Sequence, residues 1–333
     1  MKAPKKISIK QLLDAMLDTD TPLHPSYLYR LSDLGAEDLA AIKKSWLNIP
    51  AWRRQAIMED VVDIGQDDYV LSFEAFARQG LLDDEARVRE LAVRALWEYE
   101  SPRLIPDLLD ILAADPDTDV RAVAATALGK YVFLGEIEEI PASTLHSIED
   151  LLLQVTRSSQ ASLVRRRALE SLGYSSRGEV PALIDEAYYS DNVDWLVSAL
   201  FAMGVSANKE WNPLVLTQLQ NDNPEVLHEA VRAAGELEIH ESVARLMDLL
   251  SSEDSDVRLA TVWSLSQIGG DGVREALENL YEDAEDDEEA DFIESALENL
   301  DFTEDVAIFE LLDVEEDEKD FDDELIDLDD EDD

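Results

Sequence analysis

The apolar positions of this chain keep returning to one face of a helix. In DVRAVAATALGK, residues 119–130, Val120, Ala124, Ala127 and Leu128 stand at i, i+4, i+7 and i+8, the stripe of an amphipathic helix, and Gly129 follows where such a helix could end. Aligned on its first core residue, the stripe begins again at Val88, Val120, Val164, Trp195, Val226 and Val257, at intervals of 32, 44, 31, 31 and 31 residues. About eleven residues upstream of each anchor lies a shorter apolar pattern, such as RLIPDLLDIL, EVPALIDEAY, WNPLVLTQL or SVARLMDLL, which predicts a first helix opening near a proline. Each repeat is then a pair of helices, and small alanines on the stripe let like helices approach closely. The single long interval implies roughly thirteen extra residues within FLGEIEEIPASTLHS, expected as a longer loop or an extended helix end.

The two ends of the array are less regular. YLYRLSDLGAEDLAAIKKSW and NIPAWRRQAIMEDVVDIG, separated by Pro50, read as a divergent first pair, and VREALENLYED with EEADFIESALENL reads as a degenerate last one that keeps Ile293, Ala296 and Leu297 on its face. Terminal repeats are expected to be atypical because one side must face water. The predicted fold is an all-α solenoid of about seven to eight helix pairs over residues 23–300. A basic N-terminal arm, 1–22, precedes it and contains the amphipathic piece Ile9–Leu17, expected as a mobile arm or a flanking helix.

Charge changes the picture at the C-terminal end. The 333 residues carry a formal net charge of −50, and residues 282–333 hold 29 acidic residues against one lysine. Self-repulsion predicts a disordered tail over 301–333, while Phe302, Ile308, Phe309, Leu311, Leu312, Phe321, Leu325 and Ile326 form apolar clusters suited to ordering on contact with a partner. A hydrophobic content of 46% is that of an ordinary folded protein, so the acidity does not predict disorder throughout.

The two-helix unit, with its D-x-x-V-R-x-x-A-x-x-A-L-G consensus, resembles the HEAT-repeat family, and its short period resembles the subgroup found in bacterial phycocyanobilin-lyase-like proteins. The resemblance covers roughly residues 50–300 and implies a HEAT-like α-solenoid, an architecture shared by scaffolds, adaptors, lyases and hydroxylases. It also implies that Arg89, Arg121, Arg165 and Arg258, often close behind an aspartate such as Asp119 or Asp256, form a ladder tying one repeat to the next.

Several chemistries find no support. Without cysteine there is no disulfide, thiolate nucleophile or thiolate metal site. No run approaches the roughly 20 apolar residues of a membrane span, and the N-terminus does not read as a secretory signal, so a cytoplasmic location is expected. No phosphate loop, dinucleotide fingerprint or G-x-S-x-G turn occurs. Deoxyhypusine hydroxylase, a HEAT-repeat enzyme, holds two irons with four His-Glu pairs, and His228-Glu229 stands where that pattern would place one. The other units have Glu90-Leu91, Ala122-Val123, Arg166-Arg167, Val197-Ser198 and Leu259-Ala260 there, and His240-Glu241 is out of register. No catalytic residue, metal or cofactor is therefore expected. Nor is direct nucleic-acid binding, since residues 1–281 alone have net charge −22. Arg165 to Arg167 is the one compact basic run within the repeats, expected as exposed arginines, as a dock for the acidic tail or as a phosphate-binding run.

What the second helices show to solvent is more informative. Projected at 100° per residue, the positions two, six and ten after each anchor point away from the core. In the fourth to sixth units these include Val197, Phe201, His228, Arg232, Leu259 and Trp263, unexpectedly apolar and aromatic with one cation between, a composition common at binding hot spots. The expectation is a non-enzymatic scaffold that binds a protein segment there, a basic partner being favoured by the acidic tail. The alternatives are a lyase or chaperone-like helper for a tetrapyrrole or other cofactor, and an acidic mimic of nucleic acid.

Overall fold

The computed structural model describes residues 7–303, apart from 69 and 285. The expectations placed on residues 1–6 and on the acidic tail from 304 onward lie outside the described residues. Every regular element among the described residues is a helix, and the helices fall into two compact units meeting at Val180 and Pro181. The first contains α1 (Ile9–Leu17), α2 (Pro25–Leu28), α3 (Ala36–Ser45), α4 (Ala51–Asp67), α5 (Glu74–Gly80), α6 (Ala86–Ala95), α7 (Ile105–Ala114), α8 (Thr118–Glu136), α9 (Ala142–Thr156) and α10 (Ser162–Leu172). The second contains α11 (Val180–Tyr188, its first residue closing the first unit), α12 (Val193–Val205), α13 (Asn212–Gln218), α14 (Pro224–Glu236), α15 (Val243–Leu249), α16 (Ser255–Ile268), α17 (Val273–Glu282) and a last helix, α18, over 287–303. From α3 to α18 they read as eight pairs, a HEAT-like solenoid pattern.

The periodic stripe is the core. Val88, Val120, Val164, Val226 and Val257 are at most 1% exposed, and the residues four positions on, Ala92, Ala124, Ala168, Ala230 and Thr261, are all at 0%. Trp195 departs from this: it is only half buried, while Ala199, Ala202 and Met203 behind it keep the register. The second helices also share a start signal. Asp117, Asn192, Asn223 and Asp254, each three residues before an anchor, accept hydrogen bonds from the first free amides of α8, α12, α14 and α16. Those amides would otherwise have no partner, and such a cap is worth about 1 kcal/mol.

Gly129 does not end its helix. α8 runs on for 19 residues to Glu136 and α9 has 15, so the extra residues of the long interval lengthen both helices rather than making a loop. The glycine marks a crossing instead. A Cβ on Gly129 would lie 2.9 Å from Ser171 Oγ, one on Gly204 would lie 3.0 Å from Ala233 Cα, and one on Gly235 would lie 2.7 Å from Ser264 Oγ. All three stand nine residues after an anchor, where successive second helices touch: α8 with α10, α12 with α14, α14 with α16. Hydrogen bonds lock two of these crossings, Ser171 Oγ donating to Ala125 O at 2.8 Å and Ser264 Oγ to Val231 O at 2.9 Å.

The real stop is a left-handed residue further on. After α14, the amides of Glu238 and Ile239 donate back to Gly235 O (2.9 Å) and Ala234 O (3.0 Å), which requires Glu238 at φ +50°. Glycine is the residue this bend favours. Glu238→Gly should therefore raise stability by about 1 kcal/mol, the strain of a non-glycine residue in that region, and thermal unfolding would show it as a higher midpoint.

At the N-terminus the flanking-helix reading holds for Ile9–Leu17. Ser8 and Gln11 close a capping box, Leu12 and Met16 are fully buried, and Arg53 Nη2 donates to the carbonyls of Ala15, Asp18 and Thr21 at 3.3, 3.0 and 2.9 Å. At the other end, residues 301–303 continue α18 rather than beginning a tail. Thr303 Oγ1 donates to Ser266 O at 3.2 Å, and Ile293, Ala296 and Leu300 are fully buried.

The arginine ladder exists, with partners other than the neighbouring aspartates. Arg89 grips Asp115 with Nε and Nη2 (2.7 and 2.8 Å) while Nη1 donates to Asp83 O (2.9 Å). Arg121 reaches Gln160 Oε1 (2.9 Å) and Asp115 O (2.6 Å), and Arg258 reaches Glu289 Oε1 (2.9 Å) and Ser252 O (3.1 Å). One arm of each guanidinium thus satisfies a carbonyl in its own repeat's loop, and the other crosses to the following repeat. Arg165 makes the first of these contacts, to Thr156 O at 2.9 Å. Asp119 and Asp256 have no part in this because they sit at the exposed N-terminal turns of α8 and α16. The first rung is Arg54, in the divergent first pair: it grips Asp83 with Nε and Nη2, both at 2.8 Å, and donates to Ile49 O at 2.7 Å.

Candidate functional site

The ladder and the glycine crossings hold α14, α16 and α18 side by side, and their solvent faces enclose a depression of about 450 Å³. His228 and Arg232 line it from α14, Leu259 and Trp263 from α16, so four of the six residues expected at the site meet here. Phe201, on α12, joins through Arg232, whose guanidinium lies over its ring at 5.5 Å from the centroid, a cation–π contact. Val197 is on the same helix one turn earlier and does not line the depression. None of the six is buried, and Trp263 is 38% exposed. The outward projection is therefore correct in this unit. It is less so in the first unit, where Glu90, Ala122 and Glu170 are buried between helices.

Asp256, Ala260 and Phe292 complete the lining and were not anticipated. Phe292 packs on Trp263 with ring centroids 6.3 Å apart. It lies in the acid-rich last unit, whose helix begins on Asp287, Glu288 and Glu289 instead of an apolar anchor, so the projection had no origin there. Asp256 stands one helical turn before Ala260 on the same face of α16. The result is an aromatic and aliphatic floor with a cation on one side and a carboxylate on the other.

Electrostatics fixes the protonation states. Burial, reinforced by the Arg232 guanidinium, pushes the His228 imidazole below its usual value against the opposing pull of Asp256 and Asp254, which favours the uncharged ring. Glu229, the other half of the His-Glu pair, turns inward, 8% exposed, with Arg232 Nη1 3.3 Å from its Oε1. Among the described residues no three histidine or carboxylate side chains gather as a metal site would require. The basic run is committed locally: Arg165 to Thr156 O, and Arg167 Nη1 to Glu170 Oε2 at 2.6 Å.

Residues 74–145 and 212–298 match the sequence model of the HEAT-repeat family. These two segments are HEAT repeats, and the fold is an all-α, HEAT-like solenoid. Among solved structures, YibA of Escherichia coli is similar at 16% identity, covering 85% of this chain and 98% of that one, with a TM-score of 0.43. The complex of CpcE and CpcF of phycocyanin lyase from Nostoc sp. PCC7120 is similar at 20% identity, over 68% and 94% of the two chains, TM-score 0.46. Human deoxyhypusine hydroxylase follows at 18% identity, over 78% and 95%, TM-score 0.34. No curated protein sequence matches the chain. Among the described residues no helix is long and apolar enough to cross a membrane.

Proposed function

We propose that the protein is a non-enzymatic adaptor whose second unit holds a segment of a partner protein across α14, α16 and α18. The observation that carries this reading is the convergence of Phe201, Arg232, Leu259, Trp263 and Phe292 on one open surface, rich in the aromatic and arginine side chains that anchor binding. The partner segment presents an apolar face to the floor and basic residues to the surroundings, because residues 181–303 hold 29 acidic residues against five basic ones.

Affinity capture with the full-length protein and with Phe201→Ala and Trp263→Ala tests this. Both variants should keep the wild-type melting temperature and lose the captured partner by about tenfold or more in affinity. Unfolding of both, or an unchanged partner set, would sink the reading. The size and aromatic floor of the same depression also suit a flat ring system, which supports a second reading as a helper protein for a tetrapyrrole or another cofactor. A visible absorbance band co-purifying with the wild-type protein and lost in Trp263→Ala would favour it.

A further inference from the structure

The groove between α14 and α16 is not the same at its two ends. Asp256, Leu259, Ala260 and Trp263 stand at i, i+3, i+4 and i+7 of α16 and all line the depression, a single stripe about 10 Å long. The end nearer the C-terminus of α16 is aromatic: Trp263 meets Phe292, and the Arg232 guanidinium lies over Phe201. The other end is the exposed Asp256 carboxylate, close enough to His228 of α14 to act on its charge. Leu259 and Ala260 fill the stretch between them.

The two charged side chains of the lining are not equivalent. Arg232 is committed, its Nη1 3.3 Å from Glu229 Oε1 and its guanidinium on the Phe201 ring. The Asp256 carboxylate has no ion-pair partner among the described residues. Arg258, the other cation at this end of α16, is held by Glu289 Oε1 at 2.9 Å and Ser252 O at 3.1 Å. His228, pushed toward its uncharged form, adds a nitrogen lone pair rather than a second positive charge. An acid just before the anchor belongs to the helix start, where it recurs as Asp119, Asp194 and Glu225. In α16 it also lines the depression, and so leaves one negative charge unbalanced at a fixed end of an apolar stripe.

Resting on the reading of this groove as a partner-binding surface, we propose that the segment it holds is a helix with an arginine or lysine whose charge meets Asp256 and, two turns along, a large apolar side chain seated on Trp263 and Phe292. A helix repeats the i, i+3, i+4, i+7 spacing of the stripe and so matches its length of about 10 Å. It also brings its own backbone hydrogen bonds. The groove is walled by helices whose backbone is bonded internally, and it offers nothing to the N–H and C=O groups of an extended strand.

The probe is a fluorescently labelled alanine- and glutamine-based peptide of about 18 residues, long enough to hold a helix, with one arginine and leucines three, four and seven residues after it. A second peptide has glutamine in place of the arginine. Anisotropy titrations use the full-length protein in about 0.15 M salt, which screens long-range attraction. Wild type should bind the arginine peptide about fivefold more tightly, the worth of one partly exposed ion pair. Asp256→Asn, which alters an exposed side chain, should bind the two peptides alike. Asp271→Asn, at an exposed carboxylate outside the lining, should keep the preference. Trp263→Ala should weaken both peptides by about tenfold or more. A preference that survives Asp256→Asn, or one that Asp271→Asn removes equally, overturns the proposal and leaves the adaptor reading standing, as does a wild type that binds neither peptide. Peptides indifferent to Trp263→Ala also overturn it, and the adaptor reading falls with it only if partner capture is indifferent to Trp263→Ala as well.

Discussion

Arg54→Ala is expected to destabilise the first unit by about 3–5 kcal/mol, the usual consequence of removing one partner of a buried ion pair. The Arg54 side chain is 4% exposed and the Asp83 side chain 0%, so alanine would leave a carboxylate without its counter-charge and without water. Asp83 would keep the hydrogen bonds from Trp46 Nε1 and the Glu85 amide but no cation. Arg54 also holds the Ile49 carbonyl, so its loss opens the first turn of the array as well. The comparison that isolates burial is Arg258→Ala. Arg258 makes the same kind of contact to Glu289, but both side chains are 23% exposed, and solvent screening should limit the loss to about 1 kcal/mol or less. Urea unfolding of both variants measures the difference, and equal losses would show that burial is not what makes the first rung strong.

The same rungs set the response to acid. Burial alone would raise Asp83 and Asp115, but the hydrogen bonds from Arg54 and Arg89, helped by the Glu85 and Asp117 amides, outweigh it and hold both carboxyls below the usual range. A carboxylate depressed in the folded state binds its proton more readily when unfolded, so its stabilisation is full above the unfolded value of about 3.9 and is lost as pH falls through the folded values. Wild-type stability should decline on the acid side of about pH 5, and Arg54→Ala, having already lost its contribution, should decline less steeply over that range.

Most of the fold was legible because burial enforces a period. A stripe at i, i+4, i+7 and i+8 survives in six repeats, since any residue in it must pack against two neighbours. Arg54 was not legible: it follows Arg53 in a helix with no valine anchor, and only the position of Asp83, 29 residues away, distinguishes its role from its neighbour's. Phe292 escaped for a related reason, its helix lacking an apolar start from which to count. The floor of the groove, by contrast, could be read from the sequence in the second unit. There the outward positions hold residues too apolar for a solvent face, and Phe201, Leu259 and Trp263 had no place in the core stripe to account for them.

Gly129 was misread because glycine at the end of an apolar stripe signals two things, a helix stop and a close crossing, and sequence alone does not separate them. Gly235→Ala does. On a helix with free surroundings, alanine would stabilise by about 1 kcal/mol through better propensity. Here its Cβ would fall 2.7 Å from Ser264 Oγ and 2.8 Å from Ser264 Cβ, with Gln267 Oε1 at 2.7 Å. Gln267 can swing aside. Ser264 Cβ cannot move without α16, and Ser264 Oγ is already tied to Val231 O at 2.9 Å. Overpacking of this kind should reverse the sign and destabilise by about 2–3 kcal/mol, while Gly178→Ala, with nothing within 4 Å of its Cβ, should stay within about 0.5 kcal/mol of wild type. The substitution also reaches the groove, since α14 carries His228 and Arg232 and α16 carries Leu259 and Trp263. Pushing the two helices apart widens the groove, so under the proposed adaptor function the variant should bind a partner more weakly even where it remains folded. A Gly235→Ala protein with raised stability and unchanged binding would return the glycine to the role of a helix stop.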